Sequence, residues 1–588
     1  MRTVATKQRN RRKQLEVKKG ENGASVRPMP LPTPPEAKPA LPSSPTLTLG
    51  PMVEISKRTW LIACIAIFLF ALVTRFYALE LKPMHHDEGV NGFFLTSLVR
   101  QGIYRYDPTN YHGPTLYYLA LPGVKLFGLG TFALRFLTAF FGVGTIWLIL
   151  SLRRHIGALA ALTSAALIAV SPGAVFYSRY FIHETLFVFF TLGIVVAALR
   201  FYETGRALYA MLAAASAAIL FATKETAFVS VGTLGLAWLV AWRWTNSGFN
   251  SGKHSRSSFG FPAASGRRRE KRRAKQVRRG VTDPKSLLTL LGGRDRVVLL
   301  AIYAAALFIL LNLLFYSSFF TNWPGVTGAL QAMKVWAKTG TSEFHGKPFD
   351  TYLKWLVQEE AAILLLATAG SVVALLGRQV NRFAVFAGAW AFGMLAAYSL
   401  IPYKTPWLML SFVVPMAIIG GYAVQTLSGL SWGALKAPWP AFAATGLALT
   451  VLAYQSVVLN FREYDNDQYP YAYSQSHREL LTLVSEVGRL AALAGTTQIG
   501  VNVASPEYWP LPWYFRDNPR VGFAGTVSQT YDPNDVPLVI ARASADPKED
   551  QAQQLRTTLA ANYQQVGIYT LRPGVRLALF ARNDLAAR

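Results

Sequence analysis

The stretch TWLIACIAIFLFALVTRFYAL, residues 59–79, followed by ELKPMHHDEGV, residues 80–90, decides what kind of molecule this is. The first part is apolar over the length a helix needs to cross hydrocarbon, about 20 residues. The second sets two imidazoles and two carboxylates, His85-His86-Asp87-Glu88, just past that run. Charge drawn to the centre of a bilayer costs roughly 2.5–3.5 kcal/mol per residue, so such a cluster at a membrane edge marks a site.

The rest of the chain repeats the first signal. Of 588 residues, 52% are hydrophobic and 15% charged, too apolar for a soluble chain of this size. Apolar runs predict eleven spans, near 59–79, 132–150, 157–176, 181–200, 207–223, 225–242, 297–316, 353–377, 383–401, 406–426 and 437–458. The segment 114–128, interrupted by Pro122, Gly123 and Lys125, is expected at the interface. The expected fold class is therefore an all-α polytopic membrane protein. Cys64, the single cysteine, lies inside the first run, so no disulfide framework exists.

A net charge of +28 raises a nucleic-acid partner, but its distribution argues against one. The excess lies in the tail before Arg58 and in the stretch 243–296, as cytoplasmic segments require. Tracts such as Arg267-Arg268-Arg269 suit anionic membrane lipid. Residues 1–58 form a basic, Pro-rich cytoplasmic tail with no apolar period and are expected to be disordered. The first run begins too late for a cleaved signal peptide.

With the N-terminus inside, Arg153-Arg154, Arg200 to Arg206, the 243–296 loop and Arg378 to Arg382 also fall inside. The same parity sends the polar clusters outward. These are His85 to Glu88, Tyr111-His112-Gly113-Pro114, Ser178-Arg179-Tyr180 with His183-Glu184, Lys224-Glu225, the loop 317–352, and Tyr403-Lys404-Thr405-Pro406-Trp407. Snorkelling side chains would not segregate in this way. One extracytoplasmic site is expected in the membrane domain, 59–460.

Several of these residues have structural readings beside the functional ones. Asp87 and Glu88 suit the N-terminus of an amphipathic segment 89–101. His85 and His86 lack the helical spacing of metal ligands and read instead as interfacial residues or as hydrogen-bonding partners of substrate, the latter being the expectation for His86. Arg179, Lys224 and Lys404 stand near the outer ends of spans, where they either snorkel or meet an oxyanion. Glu184 and Glu225 either pair with such cations or orient them. Tyr403 and Trp407 flank Lys404 as a headgroup contact or as part of an interfacial belt. The loop 317–352, with His345 and TGALQAMKVWAKTG, is a lid or a helix lying on the bilayer.

After Asn460 the composition turns polar, with helical text at 477–494 and 548–561 and extended text in QIGVNVA, PLVIA and RLALFAR. A small α/β extracytoplasmic domain is expected over 461–588. Its EYWPLPWYFRD, residues 507–517, either stacks on sugars, docks at a membrane, or forms a packed turn.

The order of motifs then matters. DEG follows the first span, with HGPTLYYLALPGVKLFGLGTFALRFLTAFFG, YSRYFIHETLFVFF, FATKETAFV, YKTPW and YWPLPWYFRD after it. In this the chain resembles the GT-C superfamily of polytopic glycosyltransferases, notably protein O-mannosyltransferases and ArnT-like aminoarabinose transferases. It is most similar to the bacterial and archaeal flippase-activity-associated proteins. The resemblance implies a sugar donor on a polyprenyl phosphate, with the first acid of the DE pair as catalytic base. Here that is Asp87, with Glu88 beside it. Where relatives often have HPP this chain has His112-Gly113-Pro114, and His112 is carried over as a substrate contact.

Such a transfer needs a base for the acceptor hydroxyl, cations for the departing phosphate and an apolar groove for the lipid. The expected function is an inverting glycosyltransferase of the plasma membrane. Its catalytic residues are Asp87 and Glu88. Its substrate-binding residues are His86, His112, Arg179, Glu184, Lys224, Glu225, Tyr403 and Lys404. No Gly-rich phosphate loop points to a nucleotide sugar, no cofactor is expected, and no metal ligand set stands out. The acceptor is a protein, lipid or glycan. The rival readings are a lipid-linked sugar flippase and a non-catalytic accessory protein of cell-surface glycosylation.

Overall fold

The structure, a computed structural model, describes residues 47–49, 52–246, 291–340, 346–377, 381–432, 435–528 and 531–587. The tail up to residue 46, most of the basic 243–296 loop, and His345 lie outside the described residues. The expected disorder of residues 1–58 needs one correction. Leu47–Leu49 forms a strand (β1), pairing antiparallel with Leu430–Trp432 (β2), which pairs with Leu435–Lys436 (β3). Those backbone bonds hold the chain as it enters the first helix, where Ser56 accepts the Thr59 N–H at 3.1 Å as N-cap.

All eleven predicted spans are helical, but not all are simple. Among the described residues, eight helices are long and apolar enough to cross a membrane, or up to ten if each of two bent pairs counts as one span. The chain is a multi-pass membrane protein. In chain order the site uses α1, Lys57–Phe76; α2, His86–Gln101; α3, Thr115–Phe127; and α4, Thr131–Ser151. Next come α5, Ala158–Val170, and α6, Pro172–Ser178, bent by 62° at Ser171. Then follow α7, Glu184–Thr204; α8, Ala207–Phe221, the short eleventh candidate; α9, Ala227–Asn246; and α10, Arg294–Tyr316. Beyond these lie α11, Pro324–Gly340; α12, Thr351–Glu359; and α13, Ala361–Leu376, with a 109° bend between the last two. The bundle ends with α14, Arg382–Leu400; α15, Leu410–Leu427; and α16, Trp439–Phe461.

Small residues decide which helix is central. Gly420 and Gly421 on α15 face Leu366 and Ser164, and a β-carbon at Gly421 would collide with Ser164 and the Ala160 carbonyl. Close backbone approach of this kind is how membrane helices gain packing without a hydrophobic driving force. Accordingly α15 is buried almost throughout, whereas α1 leaves Leu61, Ile65, Leu69 and Val73 exposed toward lipid. The segment expected at the interface, 114–128, is α3, with Leu116 and Tyr117 fully buried in the cluster that also holds Leu134 of α4.

The C-terminal region is α/β, as expected. Strands β4, Val501–Ala504; β5, Val521–Ala524; β6, Leu538–Ala543; β7, Tyr563–Arg572; and β8, Val575–Arg582 form one mixed sheet in the order β5-β4-β6-β8-β7. Alternation along β6 builds two cores. Leu538 and Ile540 pack under α17, Glu479–Leu493, while Val539 and Ala541 pack under α18, Gln551–Thr558.

The aromatic stretch 507–517 docks on the bundle. Trp513 is 1% exposed, donates Nε1–H to Thr131 Oγ1 at 3.2 Å, and lies against Gly92 of α2. Pro510 lies against Gly89 on the same face of α2. Tyr514 OH accepts the Met84 N–H at 2.8 Å.

Candidate active site

The loop between α1 and α2 is organised by arginines that satisfy helix-end carbonyls. Arg179 donates to the carbonyls of Tyr77 at 2.6 Å and Ala78 at 2.7 Å, capping the C-terminus of α1. Arg75 donates in turn to Ile168 at 2.9 Å and Ala169 at 3.3 Å, at the C-terminus of α5. Arg135 reaches from α4 to the carbonyls of Leu79, Lys82 and Pro83 at 2.9–3.1 Å and to both oxygens of Glu88 at 2.7 and 2.8 Å.

Glu88 and Asp87 therefore stand in opposite surroundings. Glu88 is fully buried, and its carboxylate also accepts the N–H groups of Phe181 at 2.8 Å and His85 at 3.0 Å. Burial alone would raise its pKa, but Arg135 and these donors hold it below the usual value. His85 caps α2 by accepting the Asp87 N–H on Nδ1 at 3.0 Å, completing a capping box with Glu88. Burial pushes the His85 imidazole down to about 4. Asp87, in the first turn of α2, keeps its side chain 40% exposed.

Asp87 faces a cavity of about 400 Å³. Six segments meet there: the start of α2, the loop 107–112, residues 182–184 at the start of α7, the 224–226 turn between α8 and α9, Trp336 of α11, and residues 398–408. Its walls hold His86, Asp87, His112, Glu184, Lys224, Glu225 and Tyr403. The fold thus brings together most of the residues singled out in the sequence. Lys224 pairs with Glu184, and His112 Nδ1 lies 2.9 Å from Glu225 Oε2. The His112 and His183 rings stand 4.8 Å apart. Among the described residues, no group of three or more His, Cys, Asp or Glu could hold a metal ion.

Three of the sequence candidates lie elsewhere. Glu88 is enclosed by Arg135 and backbone donors, away from the cavity that Asp87 faces. Arg179 is 0% exposed, with its guanidinium on the carbonyls that end α1, so it is a helix cap. Lys404 is 1% exposed and donates to the carbonyls of Ile401 at 2.6 Å and Lys347 at 3.2 Å, tying the 346–347 strap to the 401–405 turn. Both nitrogens Nη1 and Nη2 of Arg179 and the Nζ of Lys404 donate to backbone carbonyls, and neither residue is among those lining the cavity that Asp87 faces.

Gly113 explains the departure from HPP. Its N–H donates to the Thr223 carbonyl at 3.1 Å, and a β-carbon there would strike the Ala222 backbone. Proline lacks the donor and adds the carbon. The exchange seats His112 directly against the 222–225 turn.

The sequence reading missed Arg135, Asn91, Asp107, Tyr398 and Arg572. Arg135 had a signal, an arginine inside an apolar run. Asn91 joins α2 to its surroundings, donating to the Phe181 carbonyl and accepting from Tyr117 OH, both at 3.0 Å. Trp336 reaches the cavity from α11, whose Ala332 is buried in the cluster of Tyr104 and Tyr106.

The chain is similar to known proteins in one stretch of its sequence and in its fold. The family model described as dolichyl-phosphate-mannose-protein mannosyltransferase matches residues 111–254. ArnT from Cupriavidus metallidurans bound to undecaprenyl phosphate superposes with a TM-score of 0.55 at 13% identity, over 90% of this chain and 99% of that one. Its apo form gives 0.53 at 13% identity, over the same shares. The oligosaccharyltransferase of Archaeoglobus fulgidus in its apo form gives 0.49 at 14% identity, over 83% of this chain and 70% of that one. No curated protein sequence matches significantly. The chain has the GT-C fold.

Proposed function

We propose that this chain is a membrane glycosyltransferase that moves a sugar from a polyprenyl-phosphate donor to an acceptor hydroxyl on the extracytoplasmic face. One observation carries the reading: Asp87 is an accessible carboxylate at a helix N-terminus, facing a polar cavity at the end of an apolar bundle. The ArnT structure that superposes over 99% of its length holds undecaprenyl phosphate, which supports a lipid-linked donor here.

In this mechanism Asp87 takes the hydroxyl proton as the acceptor oxygen attacks the anomeric carbon from the face opposite the phosphate. The bond from that carbon to the phosphate oxygen breaks, and the phosphate leaves with the electron pair, inverting the centre. Lys224 is the cation in the cavity wall for the leaving oxygens, held by Glu184. Glu225 orients His112, which offers a further hydrogen bond.

The test is transfer from radiolabelled polyprenyl-phosphate sugars in proteoliposomes, comparing wild type with Asp87→Asn. The expected loss is about 10²–10⁴-fold, the usual contribution of a positioned base, with the fold intact. Full activity in D87N would end the assignment of the base. Wild-type movement of lipid-linked sugar across the bilayer without transfer would favour transport.

A further inference from the structure

Arg572 ends β7 in the C-terminal domain, yet it touches the cavity wall. Its Nη1 lies 3.3 Å from His86 Nδ1, and its Nη2 donates to Glu507 Oε2 at 3.1 Å. Glu507 also faces Arg542 Nη1 at 3.5 Å, so the guanidinium is braced from behind. A guanidinium keeps its protons and can only donate. The bond therefore requires a lone pair on His86 Nδ1, which places the imidazole proton on Nε2. Nε2 has no hydrogen-bond partner among the described residues, and His86 lines the cavity beside Asp87.

We propose that Arg572 is a positioning residue that holds His86 as the neutral Nε2–H tautomer, so that this imidazole offers the cavity a hydrogen-bond donor and no proton acceptor. Asp87 is then the proton acceptor on that wall, and a hydroxyl or phosphate oxygen entering beside it meets a donor. The C-terminal domain becomes part of the active centre. This rests on the glycosyltransferase reading only for the use of the donor; the tautomer itself follows from the geometry.

The charged groups facing His86 are Asp87 on its own helix and Arg572 and Glu507 from the C-terminal domain. Burial and Arg572 lower its pKa against the two carboxylates. Removing Arg572 frees Nδ1, and the imidazole should then populate both tautomers and protonate more readily.

The experiment is solid-state nitrogen NMR of the full chain in lipid, labelled with ¹⁵N-histidine, with the His86 signals assigned by their loss in His86→Gln. It needs no sugar donor, so its outcome is independent of any transfer assay. Wild type should show His86 Nδ1 unprotonated and Nε2 protonated at pH 8, and should keep that state to lower pH than Arg572→Ala does. Arg572→Ala should show mixed tautomers and titration at higher pH, and Arg572→Lys, which restores one donor, should recover most of the wild-type pattern. A wild-type Nδ1–H tautomer would overturn the proposal even if R572A failed to fold. An unchanged His86 in folded R572A would do the same.

Discussion

Arg135 places all five of its N–H groups on the loop that carries Asp87, two of them on Glu88 at 2.7 and 2.8 Å. The guanidinium closes the turn from Leu79 to Glu88 around itself, and Asp87 is left as the accessible acid of the pair. Adjacent carboxylates have thus been separated into a buried, paired one and an accessible one by what surrounds them.

Removing one partner of this buried pair should be severe. Arg135→Met or Glu88→Ala is expected to destabilise by about 3–5 kcal/mol, because an uncompensated charge stays buried. The double variant, with two apolar side chains, should recover part of that loss. Melting in detergent–lipid micelles measures both. Equal melting temperatures for R135M and wild type would remove the structural role of Arg135, whereas D87N is expected to melt like wild type.

The docking of the C-terminal domain should depend on two glycines of α2. A β-carbon at Gly92 would stand 2.6 Å from the Trp513 ring, and one at Gly89 would stand 2.5 Å from Pro510 Cβ. Gly92→Leu should therefore push the domain off, and Trp513→Ala should cost about 3–5 kcal/mol through the cavity left behind. Limited proteolysis between residues 461 and 478 is the measurement. Cleavage as slow as in wild type would mean the contact contributes little.

Acid should loosen the Asp87 loop through His85. Its imidazole sits at about 4 in the folded protein against about 6.5 in a model peptide. The unfolded chain therefore binds a proton that the folded one refuses. Stability from this group is complete above pH 6.5 and declines as pH falls toward 4, by up to about 3 kcal/mol. His85→Asn keeps a capping acceptor for the Asp87 N–H and should flatten the melting temperature over that interval. A variant with the wild-type slope would place the acid sensitivity elsewhere.

Local text was a good guide wherever a property is local. The span 132–150 could be read because hydrocarbon length and apolar composition are carried by consecutive residues, and QIGVNVA and PLVIA because buried strands are short apolar runs. Strand β5, VGFA, is too short and too glycine-rich to show a period, and β7, YQQVGIYTLR, is largely polar on one face, so neither stood out. The bends at Ser171 and Glu360 were hidden for another reason. Each bent pair reads as one apolar run when taken together, and hydropathy averages across a break.

By itself the sequence determined a bundle of apolar helices, a polar α/β tail, and a set of ionisable residues at helix ends, because each follows from the spacing of side chains along the chain. Which of those residues share one cavity was decided by tertiary structure alone. Arg179, Lys224 and Lys404 look alike in the sequence, as cations at the ends of apolar runs. The fold sets Arg179 on the carbonyls that end α1, holds Lys404 on the 346–347 strap, and leaves Lys224 in the wall beside Glu184. His86 and Arg572 meet only because a sheet built late in the chain closes over the first loop. Partners of buried charges are chosen by three-dimensional proximity, since desolvation makes any nearby donor or acceptor count, and proximity across hundreds of residues leaves no periodic trace in the text.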